Sequence, residues 1–135
     1  MKGYTLDTNM VAAHLKRNPV VTQRMRHAEA AGYPVMLNAV SYYETRRGLL
    51  FAGARTQLVA FEQLWRTQGI LMIDQVVLDK AADIYADLRA TGKLIEDADI
   101  LMAAIALTND LALVTNNTSH FSRLTDLQIE DWLSP

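Results

Sequence analysis

Residues 97–114 read DADILMAAIALTNDLALV, and this stretch decides the predicted fold. After the two leading acids, residues 100–108 are almost wholly apolar, which is typical of a helix buried on most of its faces. Asn109 and Asp110 interrupt the apolar run, and residues 111–114 follow as a short, fully apolar β-like segment. A buried helix that leads directly into a buried strand is typical of a parallel sheet covered by helices on both faces.

The same alternation of helical and β-like segments extends through the rest of the chain. We predict strands at residues 4–6, 35–37, 70–73, 111–114 and, as a short fifth strand, 127–129. We predict helices at residues 9–17, 20–31, 41–51, 55–68, 76–91 and 97–108. The sequence therefore predicts an α/β fold with a mainly parallel sheet. Ligands of such sheets bind beyond the carboxyl ends of the strands, so the residues that follow each strand are the candidates for a site.

Length and composition predict one domain that spans residues 1–135. The chain has 135 residues, 50% of them hydrophobic, and it contains no repeat, linker or low-complexity segment. The absence of cysteine excludes disulfides and thiolate-bound metals. No apolar run reaches the roughly 20 residues that span a bilayer, and the N-terminus lacks the pattern of a secretory signal. We therefore expect a soluble cytoplasmic protein with no membrane partner.

The charged side chains are unevenly distributed, although the net charge is only −2. Residues 1–55 carry eight lysines and arginines against three acids, whereas the remaining residues carry five against twelve. A basic N-terminal part could present one positive face to a polyanion such as a nucleic acid. Solvated helix faces that simply differ in sign would give the same distribution, so both interpretations stay open.

Three oxygen-bearing side chains follow predicted strands. Asp7 comes directly after the first strand, Glu44 soon after the second, and Asn117 after the fourth. Each has an ordinary explanation, since Asp7 can cap the next helix and Asn117 suits a turn. Glu44 can complete a capping box with Ser41 at the start of its helix. For each residue taken singly, the ordinary explanation is favoured.

The start of the apolar helix is harder to explain by capping alone. Glu96, Asp97 and Asp99 place three acids within four residues. The helix dipole favours negative charge at this end, which accounts for one acid. Three like charges repel one another, and a bound cation would relieve that repulsion.

Taken together, the strand-end side chains predict a metal site at one edge of the sheet. Its candidate residues are Asp7, Glu44, Asp97, Asp99 and Asn117. Carboxylates that share a small site raise one another's pKa unless a cation neutralises them. Oxygen ligands without histidine or cysteine select Mg²⁺ or Mn²⁺. Such an ion can lower the pKa of a bound water and stabilise the charge that develops on a phosphodiester in the transition state.

Other signals are weaker or exclude a class of site. Arg46 and Arg47 follow Glu44 and could hold substrate phosphates, although a solvated helix face explains them equally well. No glycine-rich phosphate loop is present, so neither ATP nor a dinucleotide cofactor is predicted. The isolated histidines predict surface or packing roles for His14, His27 and His120. Helical spacing predicts core or dimer-interface positions for Phe51, Leu58, Phe61 and Trp65.

Four segments in order resemble the motifs of the PIN-domain family. They are Leu6-Asp7-Thr8-Asn9 and residues 39–48, 97–104 and 113–121, and the tail at residues 127–132 resembles the ending of VapC-type toxins. Any one segment is a weak signal, but four in this order cover nearly the whole chain. The sequence therefore resembles the PIN-domain ribonucleases of VapC type, the toxins of bacterial type II toxin–antitoxin pairs.

The resemblance implies a three-layer PIN-like α/β sandwich with a sheet of about four to five strands flanked by helices. It implies Mg²⁺- or Mn²⁺-dependent endoribonuclease activity, an RNA substrate, a homodimer, and a cognate VapB-like antitoxin whose C-terminal segment covers the active site. Asp7, Glu44 and Asp99 match the acids of the family's metal site, and Asp97 matches an auxiliary position. Asn117 stands where many members carry a fourth acid, which leaves the number of metal ions open.

Three alternatives stay open. The first is a PIN-type nuclease that processes RNA without being a toxin. The second is a receiver-like signalling module, which is disfavoured because Asp7 lacks an acidic neighbour and no lysine follows Lys93. The third is a PIN-like binding domain without catalysis, which only Asn117 suggests.

Overall fold

The computed structural model describes residues 1–134, and Pro135, the last residue of the predicted domain, lies outside the described residues. The strands are β1 (Tyr4–Leu6), β2 (Val35–Asn38), β3 (Ile70–Leu71), β4 (Ala112–Val114) and β5 (Ile129–Glu130). The helices are α1 (Thr8–Leu15), α2 (Pro19–Ala30), α3 (Ala39–Ala52), α4 (Arg55–Gln68), α5 (Gln75–Ala90), α6 (Asp97–Thr108) and α7 (Thr118–Phe121).

The strands form one parallel sheet in the order β3-β2-β1-β4-β5. Strand β1 lies at the centre, with β2 on one side and β4 on the other. Its register places Leu6 beside Val114, the last residue of β4. The predicted α/β fold with a mainly parallel sheet of four to five strands is confirmed. The residues that follow β1 and β4 therefore emerge side by side at one edge.

Helices cover both faces of the sheet and enclose two separate cores. Adjacent residues of β4 show the division, because Leu113 belongs to the core beneath α5 and α6 while Val114 belongs to the core beneath α1, α2 and α4. Side chains of a strand alternate between its two faces, so the sheet is the middle of three layers. The predicted three-layer sandwich is thus confirmed.

The apolar residues 100–108 form most of helix α6, which is buried between its neighbours. Ala103, Ala104, Ile105 and Ala106 are fully buried, and the helix packs against both α5 and β4. The small alanine side chains let this helix approach its neighbours closely. Close packing of this kind fixes where the N-terminus of α6, with Asp99 in its first turn, lies relative to the sheet edge.

The start of α3 differs from the sequence prediction. The helix begins at Ala39 because β2 extends to Asn38, whose side chain caps the helix by accepting from the Ser41 backbone N–H at 2.9 Å. Ser41 Oγ in turn accepts from the Asn38 backbone N–H at 3.2 Å. The predicted capping box of Ser41 and Glu44 is therefore wrong. Glu44 lies in the second turn, where its carboxylate is free for contacts outside its own helix.

The remaining differences are small. The short helix α7 was not predicted, and β5 begins at Ile129 rather than at residue 127. Within residues 1–134, no helix is both long and apolar enough to cross a membrane. Of the aromatic residues predicted at core or dimer-interface positions, Phe61 is fully buried in the core, whereas Phe51 is 95% exposed at the end of α3 and is not a core residue.

Replacing Phe61 by alanine is expected to lower the free energy of unfolding by about 3–5 kcal/mol, because a buried ring is lost and a cavity remains. The matched control is Phe51→Ala, which removes an exposed ring and should change stability by less than about 0.5 kcal/mol. Urea denaturation followed by circular dichroism measures both values. Equal losses for the two variants would contradict the assigned core.

Candidate active site

Asp7 is the buried centre of the candidate site, with 4% of its surface exposed. Its Oδ1 accepts from the Met10 backbone N–H at 3.0 Å, so Asp7 caps α1 as the ordinary explanation predicted. Its Oδ2 accepts from the Thr115 hydroxyl at 2.5 Å. Thr115 directly follows β4, the strand beside β1, so the two strands bring acid and hydroxyl to the same edge. The two hydrogen bonds fix the orientation of the carboxylate.

The environment of Asp7 disfavours its charged form. Burial raises the pKa of the Asp7 carboxyl most strongly, and the negative charge of Asp99 raises it further. The hydrogen bonds from Thr115 and Met10 oppose this shift by lowering the pKa. Asp7 thus has a carboxylate that a nearby cation would stabilise. Asp99 lies in the first turn of α6, the helix that packs on β4 beside β1.

Asp99 is held by a histidine that the sequence prediction assigned to surface or packing. His120 Nδ1 lies 3.1 Å from Asp99 Oδ2 and 2.9 Å from the Asn117 side-chain nitrogen. One ring nitrogen cannot donate to Asp99 and accept from Asn117 at the same time, so the two contacts require opposite tautomers. The Asn117 backbone N–H donates to Thr115 Oγ1 at 2.9 Å. Asp99, His120, Asn117, Thr115 and Asp7 thus contact one another in that order, although His120 Nδ1 bonds only one of its two partners at a time.

Glu44 approaches the same edge from α3. Its Oε1 accepts from the Thr8 hydroxyl at 2.6 Å, and Thr8 immediately follows Asp7. Its Oε2 lies 3.7 Å from the Arg47 guanidinium one turn along α3. Glu44 also lines a cleft together with Ala98, the residue between the two acids of α6. Its carboxylate is thus near the other acids but engaged by its own partners.

The other predicted residues are less closely connected to the site. Asp97 is exposed in the first turn of α6, and Glu96, at the N-cap, makes no capping hydrogen bond with its side chain. Arg46 is directed towards α4, where its guanidinium lies 3.8 Å from Glu62, which is not a site residue. Arg47 lies beside Glu44. Of the two arginines, only Arg47 stands next to a site acid.

The donor chemistry fits a hard cation, although three acids do not form one cluster. Within residues 1–134, no group of three histidine, aspartate or glutamate side chains is arranged to hold a metal ion between them. Asp7 and Asp99 supply two carboxylates, and in this part of the chain neither forms an ion pair with lysine or arginine. Mg²⁺ commonly uses one or two carboxylates and keeps several waters, so this donor set suits it.

Sequence reasoning missed three side chains that the fold brings to the site, namely Thr8, Thr115 and His120. Thr115 could have been found from its position, because it directly follows a central strand as Asp7 does. Thr8 lies one residue further on, beside Asp7. His120 is three residues after Asn117, the spacing of neighbours on a helix, but the short helix α7 that makes them neighbours was not predicted.

Comparison with known proteins agrees with this geometry. The PIN domain family matches residues 4–127. The chain is 29% identical to "Ribonuclease VapC2" of Haemophilus influenzae over 98% of this chain and 100% of that protein. The VapBC-1 structure of nontypeable Haemophilus influenzae superimposes with a TM-score of 0.81 and 24% identity, covering 97% of this chain and 98% of the other.

A third similar structure is VapBC-5 from Mycobacterium tuberculosis, described as a member of the VapBC family of toxin–antitoxin systems. It superimposes with a TM-score of 0.71 and 20% identity, covering 97% of this chain and 99% of the other. The parallel sheet with acids at its carboxyl edge is that of a PIN-type α/β protein. The chain belongs to the PIN domain family, as the sequence motifs predicted. This membership excludes the receiver-like alternative.

Asp7→Asn is expected to stabilise the metal-free protein at pH 7. The native state binds a proton on Asp7 more tightly than the unfolded chain does, because burial and Asp99 raise the pKa. The Asp7 carboxyl therefore favours folding below its unfolded pKa, and this contribution is lost as the pH rises through the raised native pKa. The stability gain of the variant should shrink as the pH is lowered towards 3.8, the ordinary value.

Urea denaturation in EDTA at neutral and acidic pH measures the difference, with Asp83→Asn, an exposed acid of α5, as the control that should show no gain. Asparagine can keep the contacts of Asp7, since its oxygen accepts from Met10 and its amide donates to Thr115. A loss of stability of equal size at both pH values would contradict the assignment.

Proposed function

We propose that the chain is an endoribonuclease that depends on Mg²⁺ or Mn²⁺ and acts as the toxin of a toxin–antitoxin pair. The observation that carries this proposal is the buried Asp7 at the end of the central strand of a PIN-domain chain, with Asp99 in the first turn of the helix that packs on the neighbouring strand β4. The similar protein named Ribonuclease VapC2 supports RNA as the substrate. The similar structures named VapBC support an antitoxin as the partner.

We propose further that residues 1–135 form a single domain, which the family match over residues 4–127 supports. As the resemblance to VapC-type toxins implies, two copies of the chain would form a homodimer, and a VapB-like antitoxin would cover the active site of each copy. The site would work inside the cytoplasm, where the RNA and the antitoxin are available.

Asp7 and Asp99 would hold the cation, and Glu44 would complete the site from α3. When bound, the ion would stabilise the charge that develops on the phosphodiester and lower the pKa of the attacking water. Asp7 is suited to this because its two hydrogen bonds leave it little freedom to turn away. Glu44 is suited to a supporting role because its carboxylate is shared with Thr8 and Arg47.

The neighbouring side chains would orient these acids and the RNA. Thr115 holds Asp7, and His120 holds Asp99, so each acid has a fixed partner on the β4 side of the site. Arg47 is 59% exposed beside Glu44 and would hold a substrate phosphate. The predicted phosphate contact of Arg46 would require its ion pair with Glu62 to open. Asn117 adds an amide in place of a fourth charge and thereby reduces repulsion within the site.

Purified protein is expected to cleave single-stranded RNA with Mg²⁺ or Mn²⁺ and to stop when EDTA is added. Asp7→Asn and Asp99→Asn should each lower the cleavage rate by about 100- to 1000-fold, because each removes charge that must balance the cation. The control Asp83→Asn removes an exposed acid of α5 and should cleave like the wild type. A gel assay with a labelled RNA measures all four proteins.

Two outcomes would contradict parts of the proposal. If the Asp7 and Asp99 variants cut RNA as fast as the wild type, these acids do not form the active site; if the folded wild type cuts no RNA, the alternative of a binding domain is favoured. Expression in bacteria separates a toxin from an RNA-processing nuclease. A toxin should arrest growth, and co-expression of the small protein encoded beside it should restore growth.

A further inference from the structure

The N-terminal helices carry an excess of positive charge that the candidate active site does not use. Residues 8–28 contain no aspartate or glutamate and four basic side chains, Lys16, Arg17, Arg24 and Arg26. Within residues 1–134, none of these four forms a salt bridge, whereas three arginines of α3 and α4 lie beside glutamates. This charge is therefore available to a ligand.

Two of these cations line one cleft, which we call the basic cleft. It has a volume of about 630 Å³ and lies where the end of α1, the start of α2 and the middle of α4 meet. Its lining consists of Arg17, Arg26, His14, Leu15, Pro19, Thr22, Gln23 and Ala60. Most of these side chains are polar or charged, so the basic cleft offers hydrogen-bond donors together with positive charge.

Arg17 has a backbone conformation that arginine rarely adopts. Arg17 has φ 62° and follows Lys16, the cap of α1. This left-handed conformation just past a helix is usually occupied by glycine or asparagine, because a larger side chain strains it. Strained residues of this kind are concentrated at functional sites.

The charges around His14 also indicate that the basic cleft favours a negatively charged ligand. The His14 ring packs beside Thr22, with 2.9 Å between Nδ1 and the hydroxyl oxygen. Burial lowers the pKa of His14 most, and the positive charge of Arg26 lowers it further. The cleft thus holds positive potential that disfavours a further cation and favours an anion.

A second groove shares a lining residue with the basic cleft and extends to residues of the candidate active site. This groove has a volume of about 190 Å³ and is lined by Thr8 and Glu44 at one end and by Leu15 and Lys16 at the other. Leu15 lines both the groove and the basic cleft. Thr8 and Leu15 are the first and last residues of α1, about 11 Å apart along the helix axis. A few nucleotides of single-stranded RNA cover this distance.

We propose that the basic cleft binds backbone phosphates of the RNA strand on one side of the bond to be cut, with Arg17 and Arg26 as the phosphate-binding residues and Lys16 along the way. The proposal rests on the proposed nuclease function, because it continues the path of the substrate from that site. Contacts of this kind would hold and align the strand without reading its bases.

RNA fits the basic cleft better than an acidic protein segment does. Within residues 1–134, Arg17 and Arg26 form no salt bridge with a carboxylate, so both can pair directly with backbone phosphates. In another cleft, lined by Leu50, Leu58 and Val59, both arginines are instead paired with Glu62. Unpaired arginines beside a route to a phosphodiester-cleaving site favour a nucleic-acid backbone.

The test measures RNA binding in the Asp7→Asn background, where the strand is not cut. A fluorescently labelled single-stranded RNA is titrated with the protein, and its anisotropy gives Kd over a series of salt concentrations. Arg17→Asn and Arg26→Gln are added singly to that background. The matched control is Arg24→Gln, which removes the same charge from α2 but does not line the basic cleft.

Arg17→Asn and Arg26→Gln should each raise Kd by about three- to tenfold and reduce the salt slope by about 0.7, the value for one lost phosphate contact on a single strand. Arg24→Gln should change Kd by less than about twofold. Arg17→Asn should unfold at the same temperature as its parent or higher, since asparagine tolerates the left-handed backbone. Weaker RNA binding by this variant therefore could not be attributed to misfolding.

Three results would overturn the proposal: equal effects of the Arg24 and Arg26 variants, no effect of Arg17→Asn or Arg26→Gln, or the same losses for a poly-glutamate peptide as for RNA. Cleavage by the protein with Asp7 intact is measured in parallel. If that protein does not cut RNA but the binding of its Asp7→Asn form depends on Arg17 and Arg26, the nuclease function fails and the phosphate site stands. If it cuts RNA and binding is independent of both arginines, only the phosphate site fails.

Discussion

The burial of one carboxylate at the end of the central strand is the constraint on which the rest of the site depends. Asp7 is almost completely buried, and its charged form is opposed both by that burial and by Asp99. Two hydrogen bonds, from Met10 and Thr115, compensate for part of this cost and fix the side chain in one orientation. A carboxylate held in this way is well suited to binding a cation, whose charge would offset the remaining cost of burial.

The parallel sheet explains why the partners of Asp7 come from distant parts of the chain. Strands β1 and β4 are neighbours in register, so Asp7 and Thr115 leave the sheet side by side although they are 108 residues apart. Helix α6 immediately precedes β4 and packs on it, which brings Asp99 to the same edge. The apolar stretch that decides the fold therefore also positions the second acid.

Local capping decides how the third acid is presented. Asn38 ends β2 and caps α3, and its buried amide also donates to Thr5 Oγ1 and to the Leu6 carbonyl oxygen. The cap thus joins β2 to β1 just below the site. Because the side chains of Asn38 and Ser41 accept from the backbone N–H groups at the start of the helix, the Glu44 carboxylate is left to contact Thr8 and Arg47. The sequence pattern had suggested two roles for Glu44, as a helix cap and as a site residue. In the structure Asn38 and Ser41 cap the helix, and Glu44 is left with contacts at the site.

The order of helices and strands, the parallel sheet and the acids at its edge were all predictable from the amino-acid sequence alone. These follow from local patterns, since periodicity and strand-end position depend on residues close together in the chain. The contact of His120 with Asp99, and that of Glu44 with Thr8 in place of a cluster of three acids, became visible only in the folded structure. It also decided that Arg17 and Arg26 share one cleft. Such contacts join residues far apart in sequence, and they are fixed by the packing of whole elements rather than by any local pattern.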